Sequence, residues 1–300
     1  MSTATIVVAG AAGDLGTRIT KALIARGAAV RALSRPDASA DEKSRLEAFG
    51  ASLIAADPAD AVALAAVLNG ADCVVSALNG LERVIIDRQS VLVDAAAKAG
   101  VPRFIPSDFS LDFTKTQPGR NRNLDLRRDF MAIVDRADIA VTSIFNGAFL
   151  DMLGAEVPVI QPGIHRVLYW RSADQVIDWT TKDDVAAFTA AAAMDPEAPR
   201  MLRVAGDTVS VRQIAETLTE ISGRRYKPMS AGGLGLLGVM IGLARLFAPG
   251  KGETFPAWQG MQYTRDMFGG AGKLDPLDNA RYPELEFTSV KSYLTRKGGW

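Results

Sequence analysis

The sequence predicts a doubly wound parallel α/β sheet joined to a smaller C-terminal α+β part, and three observations predict it. Short Val- and Ile-rich runs recur at 5–9, 28–33, 51–56, 73–78, 103–106 and 139–145, with helix-spaced segments between them. Four of those segments close on glycine, at Gly27, Gly50, Gly70 and Gly100, where a helix hands over to a left-handed residue. A glycine-rich turn follows the first apolar run and opens a helix. Strands that alternate with helices in this way are covered on both faces, which is why each reads as an unbroken apolar run.

The first strand runs into "GAAGDLG", with Gly10, Gly13 and Gly16 three apart. Glycine lets a backbone approach phosphates closely, and the helix start then offers free N–H groups to the negative charge. Gly10, Ala12, Gly13, Asp14, Leu15 and Gly16 are therefore candidates to hold a dinucleotide diphosphate. An NAD site usually carries an acid at the end of the second strand, bonded to the ribose. Here "VRALSRP" places Ser34 and Arg35 there, and Asp37 lies beyond. A guanidinium in that place pairs with a 2′-phosphate, so the expected cofactor is NADP(H). Asp57 ends the third strand, either at the adenine edge or as the cap of the next helix. Ser76, Ala77 and Leu78 end the fourth and should run beneath the cofactor, as should Pro106 and Ser107 after the fifth.

The second half differs. Segment 166–180 reads as a strand pair, followed by a helix that starts near Thr181–Asp184. "PRMLRVAG" (199–206) reads as a seventh strand of the main sheet, and "DTVSVRQIAETLTEISG" as an amphipathic helix with a Ser/Thr start. The expected division is a dinucleotide-binding part, 1–150 with about 180–208, and a substrate part, about 151–179 and 209–300. The 14-residue apolar run 231–244 is too short to span a bilayer and reads as a buried, glycine-rich helix. The sequence leaves open whether it forms a lid or the face of a homodimer.

Composition narrows the partners. Across 300 residues, 34 Lys and Arg balance 34 Asp and Glu, which argues against nucleic acid and anionic membranes. One cysteine, Cys73, excludes an internal disulfide and fits a reducing, cytoplasmic setting. With one Cys and one His there is no zinc-type cluster, and no metal is expected. The N-terminus lacks the pattern of a signal peptide. His165, the sole histidine, reads as a turn or core residue.

The G-x-x-G-x-x-G spacing resembles the short-chain dehydrogenase/reductase superfamily, whose usual Tyr-x-x-x-Lys pair is absent here. The five tyrosines all lie beyond residue 150, and the Tyr293–Lys297 match at the C-terminus is read as chance. "RFIPSDFS" (103–110), "VTSIFNGAF" (141–149) and "TTKDDVAAF" (180–188) resemble the atypical NmrA-like and isoflavone reductase-like members of that superfamily. The resemblance runs over most of residues 5–220. It implies a Rossmann domain, NADP(H), and either a reductase of aromatic compounds or a redox sensor that binds the dinucleotide without turnover.

In the reductase branch a lysine after the fifth strand is the proposed acid or base, and the matching position here is Arg127. Arginine keeps its proton at any working pH but can orient a carbonyl or stabilise an oxyanion. Lys115 is the nearest lysine, and Asp108 stands where the family has Glu, so both join Arg127 as candidate catalytic residues. Phe145, Asn146, Phe149 and Met152 after the sixth strand, with Trp258 and Tyr263 from the tail, are the expected wall of an apolar pocket. The reading is an NADPH-dependent reductase of a small aromatic carbonyl or conjugated compound, with the sensor as the alternative.

Overall fold

The computed structural model describes residues 3–35, 37–57, 59–154 and 158–300. The βα alternation is realised in chain order as β1 (Thr5–Ala9), α1 (Asp14–Ala25), β2 (Ala29–Ser34), α2 (Ala40–Ala48), β3 (Ser52–Ala55) and α3 (Ala61–Leu68). It continues with β4 (Cys73–Ser76), α4 (Gln89–Lys98), β5 (Arg103–Ile105), α5 (Arg122–Val134) and β6 (Ala140–Val141). These strands form one parallel sheet in the order β3-β2-β1-β4-β5-β6. The order reverses beside β1, so the carboxyl ends of β1 and β4 diverge and leave a crevice for a ligand.

Side chains alternate across the sheet. Ile6 and Val8 of β1 pack with Ile19 and Leu23 of α1 and Leu46 of α2, while Val7 packs with Leu64 of α3, Leu92 of α4 and Phe130 of α5. The helix ends follow the sequence: Gly27, Gly50, Gly70 and Gly100 all have positive φ. Asp60 caps α3 by accepting from Val62 N and Ala63 N, and Asn121 caps α5 by accepting from Leu124 N.

One residue after β6 the chain resumes as β7 (Ser143–Phe145), followed by β8 (Ala148–Phe149), β9 (Ile160–Gln161), β10 (Arg166–Tyr169) and β11 (Val176–Thr180). Then come α6 (Lys182–Ala193), β12 (Met201–Arg203), β13 (Asp207–Ser210), α7 (Val211–Ser222) and β14 (Lys227–Ser230). Strand β12 pairs in parallel with β7 in a two-stranded sheet of their own, so the expectation of a seventh strand in the main sheet is corrected: β12 bonds to β7, not to a strand of the six. Helix α6 starts on a Thr181 cap, and its Val185 and Phe188 join the cluster under α1. Ser210 and Gln213 form a capping box at α7.

Two further expectations are corrected. Strands β10 and β11 do not pair with each other. β10 lies between β14 and β9, and β11 between β13 and β8, because each finds a partner far along the chain. The apolar helix α8 (Leu234–Phe247) is not buried all round. Only Leu237 and Ile241 are buried, against α9 (Ala257–Gly269), while Leu236, Val239, Met240, Leu243, Leu246 and Phe247 are exposed. A final helix, α10 (Val290–Lys297), packs on α7. Among the described residues no helix is long and apolar enough to cross a membrane.

Candidate active site at the carboxyl ends of the strands

The glycine turn is closed by contacts that leave no room for side chains. Gly10 has φ +79°, and a Cβ there would stand 2.8 Å from the Ala77 carbonyl oxygen. A Cβ at Gly16 would run into the Gly10 carbonyl itself. Gly13 N donates to Gly10 O at 3.0 Å, and Gly13 starts α1 without a side-chain cap. The first turn of α1 therefore keeps its amide groups free for an anion. Asp14 is turned aside: its carboxylate takes Arg18 Nε at 2.7 Å and Lys182 Nζ at 2.8 Å, which hold it below the usual carboxylate range. Leu15 packs partly into the core, and the Ala12 carbonyl accepts from Arg45 Nη2 at 2.9 Å. Arg45 was not legible in the sequence, since it reaches the turn from α2.

Around the crevice, two buried hydroxyls lack a partner: Ser34 Oγ at the end of β2 and Ser76 Oγ at the end of β4. Buried hydroxyls are rarely left unpaired, so these fit a polar ligand over the ends of β2, β1 and β4. Together with the uncapped start of α1, they fit a dinucleotide. Arg35 lies exposed beyond Ser34, 3.8 Å from Asp37, free to meet a phosphate. Asp57 does not cap α3, because Asp60 does; its Oδ1 accepts from Ala59 N in an exposed turn. Ala77 N donates to Ala9 O at 2.8 Å, and Leu78 O accepts from Ser107 Oγ at 2.6 Å, which ties the β4 loop to the β5 loop. Ser107 N donates to Gln89 Oε1 at 3.0 Å, and Pro106 O accepts from Asp108 N.

Arg127 and Asp108 come together behind this loop. Arg127 is buried on the inner face of α5, where Nε donates to Ser107 O at 3.1 Å and Nη1 to Asn123 O at 3.0 Å. Asp108 is 1% exposed; its Oδ2 accepts from Ser143 Oγ at 2.6 Å, while Oδ1 has no partner. Burial pushes the Asp108 carboxyl up to about 6, although the Ser143 bond and the Arg127 and Arg200 guanidiniums oppose it. Arg200 Nη1 donates in turn to Ser143 Oγ at 2.7 Å, so a polar chain leads from Asp108 to the surface. Ser143, Arg200 and Gln89 carry no local sequence signal, as each acts through a residue distant in the chain.

Lys115 Nζ donates to the carbonyls of Lys273 and Asp275 at 3.1 and 2.8 Å, a tether to the C-terminal segment.

The expected pocket wall divides in two. Phe145 is fully buried, edge-on to Phe113, and Trp258 lies under Arg122 and Arg245 with its Nε1 on Pro249 O. Both are buried. Phe149, Met152 and Tyr263 are half-buried. Asn146 is buried with Oδ1 unpartnered, and its backbone carbonyl accepts from Thr180 Oγ1. His165 sits in a left-handed turn edge-on to Tyr226, in the sheet of β9, β10 and β14. Among the described residues no three His, Cys, Asp or Glu could hold a metal.

The family model for the NmrA-like family matches residues 2–231. The chain is 27% identical to the bifunctional pinoresinol-lariciresinol reductase of Linum usitatissimum, over 96% of this chain and 97% of that protein. Among solved structures, one described as AtPrR2 with NADP+ and (+)pinoresinol superposes with a TM-score of 0.79 at 21% identity, covering 99% of each chain. The leucoanthocyanidin reductase–NADPH complex from Vitis vinifera superposes with a TM-score of 0.78 at 20% identity, covering 96% of this chain and 97% of that one.

Proposed function

The chain belongs to the NmrA-like family, and on that premise we propose that it is an NADP(H)-dependent reductase of a small aromatic carbonyl or conjugated compound. Arg127 is the observation that carries the reading: a buried guanidinium fixed to the Ser107 carbonyl, beside the crevice that the glycine turn opens. Relatives named for pinoresinol and leucoanthocyanidin support an aromatic acceptor. The diphosphate would lie on Gly10, Ala12, Gly13 and Gly16, and the 2′-phosphate against Ser34 and Arg35. The dinucleotide part is then 1–150 with about 180–208, and the substrate part about 151–179 and 209–300.

Bound there, NADPH supplies the hydride. Arg127 cannot exchange its proton at a working pH; it holds positive charge toward the acceptor oxygen, where charge grows as the carbon is reduced. Ser107 and Asp108 hold Arg127 and the β5 loop in place. Phe149, Met152 and Tyr263 exclude water on the acceptor side.

The test is to mix the protein with NADPH and a panel of aryl aldehydes, enones and quinones and to follow absorbance of the reduced dinucleotide. Oxidation with at least one acceptor supports the reductase. Tight NADPH binding without turnover on any acceptor favours the second reading, a dinucleotide-binding sensor, which one observation supports: Lys115 is committed to Lys273 and Asp275.

A further inference from the structure

The turn that would take the diphosphate opens α1 on an acid, Asp14, and a carboxylate there repels phosphate. We propose that Lys182 is a diphosphate-binding residue, held at the turn by Asp14 and screening that carboxylate from the phosphates. The inference rests on the proposed NADP(H) site and deepens it.

Asp14 is the first residue of α1, and Gly13 before it offers no side-chain cap. The carboxylate is thus carried by one of the residues whose amides the turn leaves free. Ser76 gives an independent sign of a ligand beside the turn. It pairs in register with Ala9, the residue before Gly10, and it is fully buried with its Oγ unpartnered.

Lys182 reaches the turn from the other side of the crevice. It is the first residue of α6, after the Thr181 cap, and its backbone N donates to Asp151 Oδ2 at 2.8 Å. Its Nζ donates to Asp14 Oδ2 at 2.8 Å and stands 5.9 Å from the centre of the Phe149 ring. The ammonium therefore lies between the glycine turn and Phe149, a residue of the proposed acceptor side. An ammonium carries three hydrogens. Among the described residues Asp14 is its one hydrogen-bond acceptor, which leaves two hydrogens for phosphate oxygens.

Arg18 is committed differently. Its Nε donates to Asp14 Oδ1 at 2.7 Å and its Nη1 to Asp183 Oδ1 at 2.5 Å, so it stands between two carboxylates. Asp14 and Asp183 face Arg18 and Lys182, and the four charges cancel. Take Lys182 away and the cluster presents a net negative charge to the phosphates. The glycine pattern gives no hint of this, because Lys182 lies 168 residues from Asp14.

Lys182→Met is tested by calorimetric titration with NADPH and with NADH. The pair is partly exposed, so K182M should keep its fold. Both dinucleotides carry the diphosphate, and both should bind about 10-fold more weakly, to the same degree. Lys182→Arg keeps the charge and should bind both within about threefold of wild type. When Asp14→Asn is added to K182M, the repelling carboxylate is gone as well, and affinity should recover by about threefold or more. A pair that only fastens α1 to α6 predicts no such recovery. K182M binding within about threefold of wild type, a loss confined to NADPH, or a double variant no better than K182M overturns the proposal while leaving the NADP(H) site intact. A wild type that binds neither dinucleotide overturns both.

Discussion

Arg127 Nε donates to the Ser107 carbonyl oxygen at 3.1 Å, joining α5 to the loop after β5. Because Nη1 also holds Asn123 O, one planar head satisfies two carbonyls in a site that is 7% exposed. Arg127→Leu should therefore remove the side-chain donor from the Ser107 carbonyl, while Asn123 O keeps its helical Arg127 N–H, and cost about 1–3 kcal/mol. Arg127→Lys keeps the charge, but a single nitrogen cannot reproduce the fork, so its loss should be smaller and still measurable by urea unfolding. Wild-type stability in R127L would show that the two bonds contribute nothing.

What the sequence revealed was local. The glycine turn, the strand–helix alternation, the Thr181 cap and the Ser210 box each depend on residues within a few positions of one another. What it hid was reach. Lys115 looked available because its partners, Lys273 and Asp275, lie far along the chain. Strands β10 and β11 looked paired because they are neighbours in sequence, yet each pairs elsewhere. Phe145 and Phe149 looked alike, but one turns into the core beside Phe113 and the other stays half-buried. An apolar run shows that α8 is hydrophobic, not which of its faces is covered.

Asp108 should govern the acid side of the stability profile. Its carboxyl is raised from 3.8 to about 6 in the folded chain. A raised folded value means the contribution is full below the unfolded value and is lost as pH rises through about 6. Above that, the buried charge costs up to roughly 3 kcal/mol. Asp108→Asn keeps the shape without the titration, so it should stabilise the protein at neutral pH and flatten the slope between 3.8 and about 6. Urea midpoints across that range decide it, and an unchanged slope in D108N would sink the argument.

Gly10→Ala should fail on two counts. The residue needs φ +79°, and the new Cβ would meet the Ala77 carbonyl at 2.8 Å. Together the strain and the clash should cost about 2–4 kcal/mol. The loop must shift to relieve them, so NADPH binding should fall well beyond the loss in stability. Calorimetric titration below the melting temperature reads this, and wild-type affinity in G10A would be incompatible with a diphosphate on this turn.

Arg35→Ala tests the choice of dinucleotide. The side chain is 58% exposed, and Asp37 is 3.8 Å away and 78% exposed, so the pair is weak and yields to a phosphate. A charge-assisted bond to the 2′-phosphate is worth about 1.5–3 kcal/mol, which predicts roughly 10- to 100-fold weaker NADPH binding in R35A. NADH lacks that phosphate, and its affinity should hardly change. Comparing the two dinucleotides in both proteins separates the 2′-phosphate from everything they share. An equal loss for both would move Arg35 off the 2′-phosphate, and equal affinities in the wild type would refute NADP(H) as the preferred cofactor.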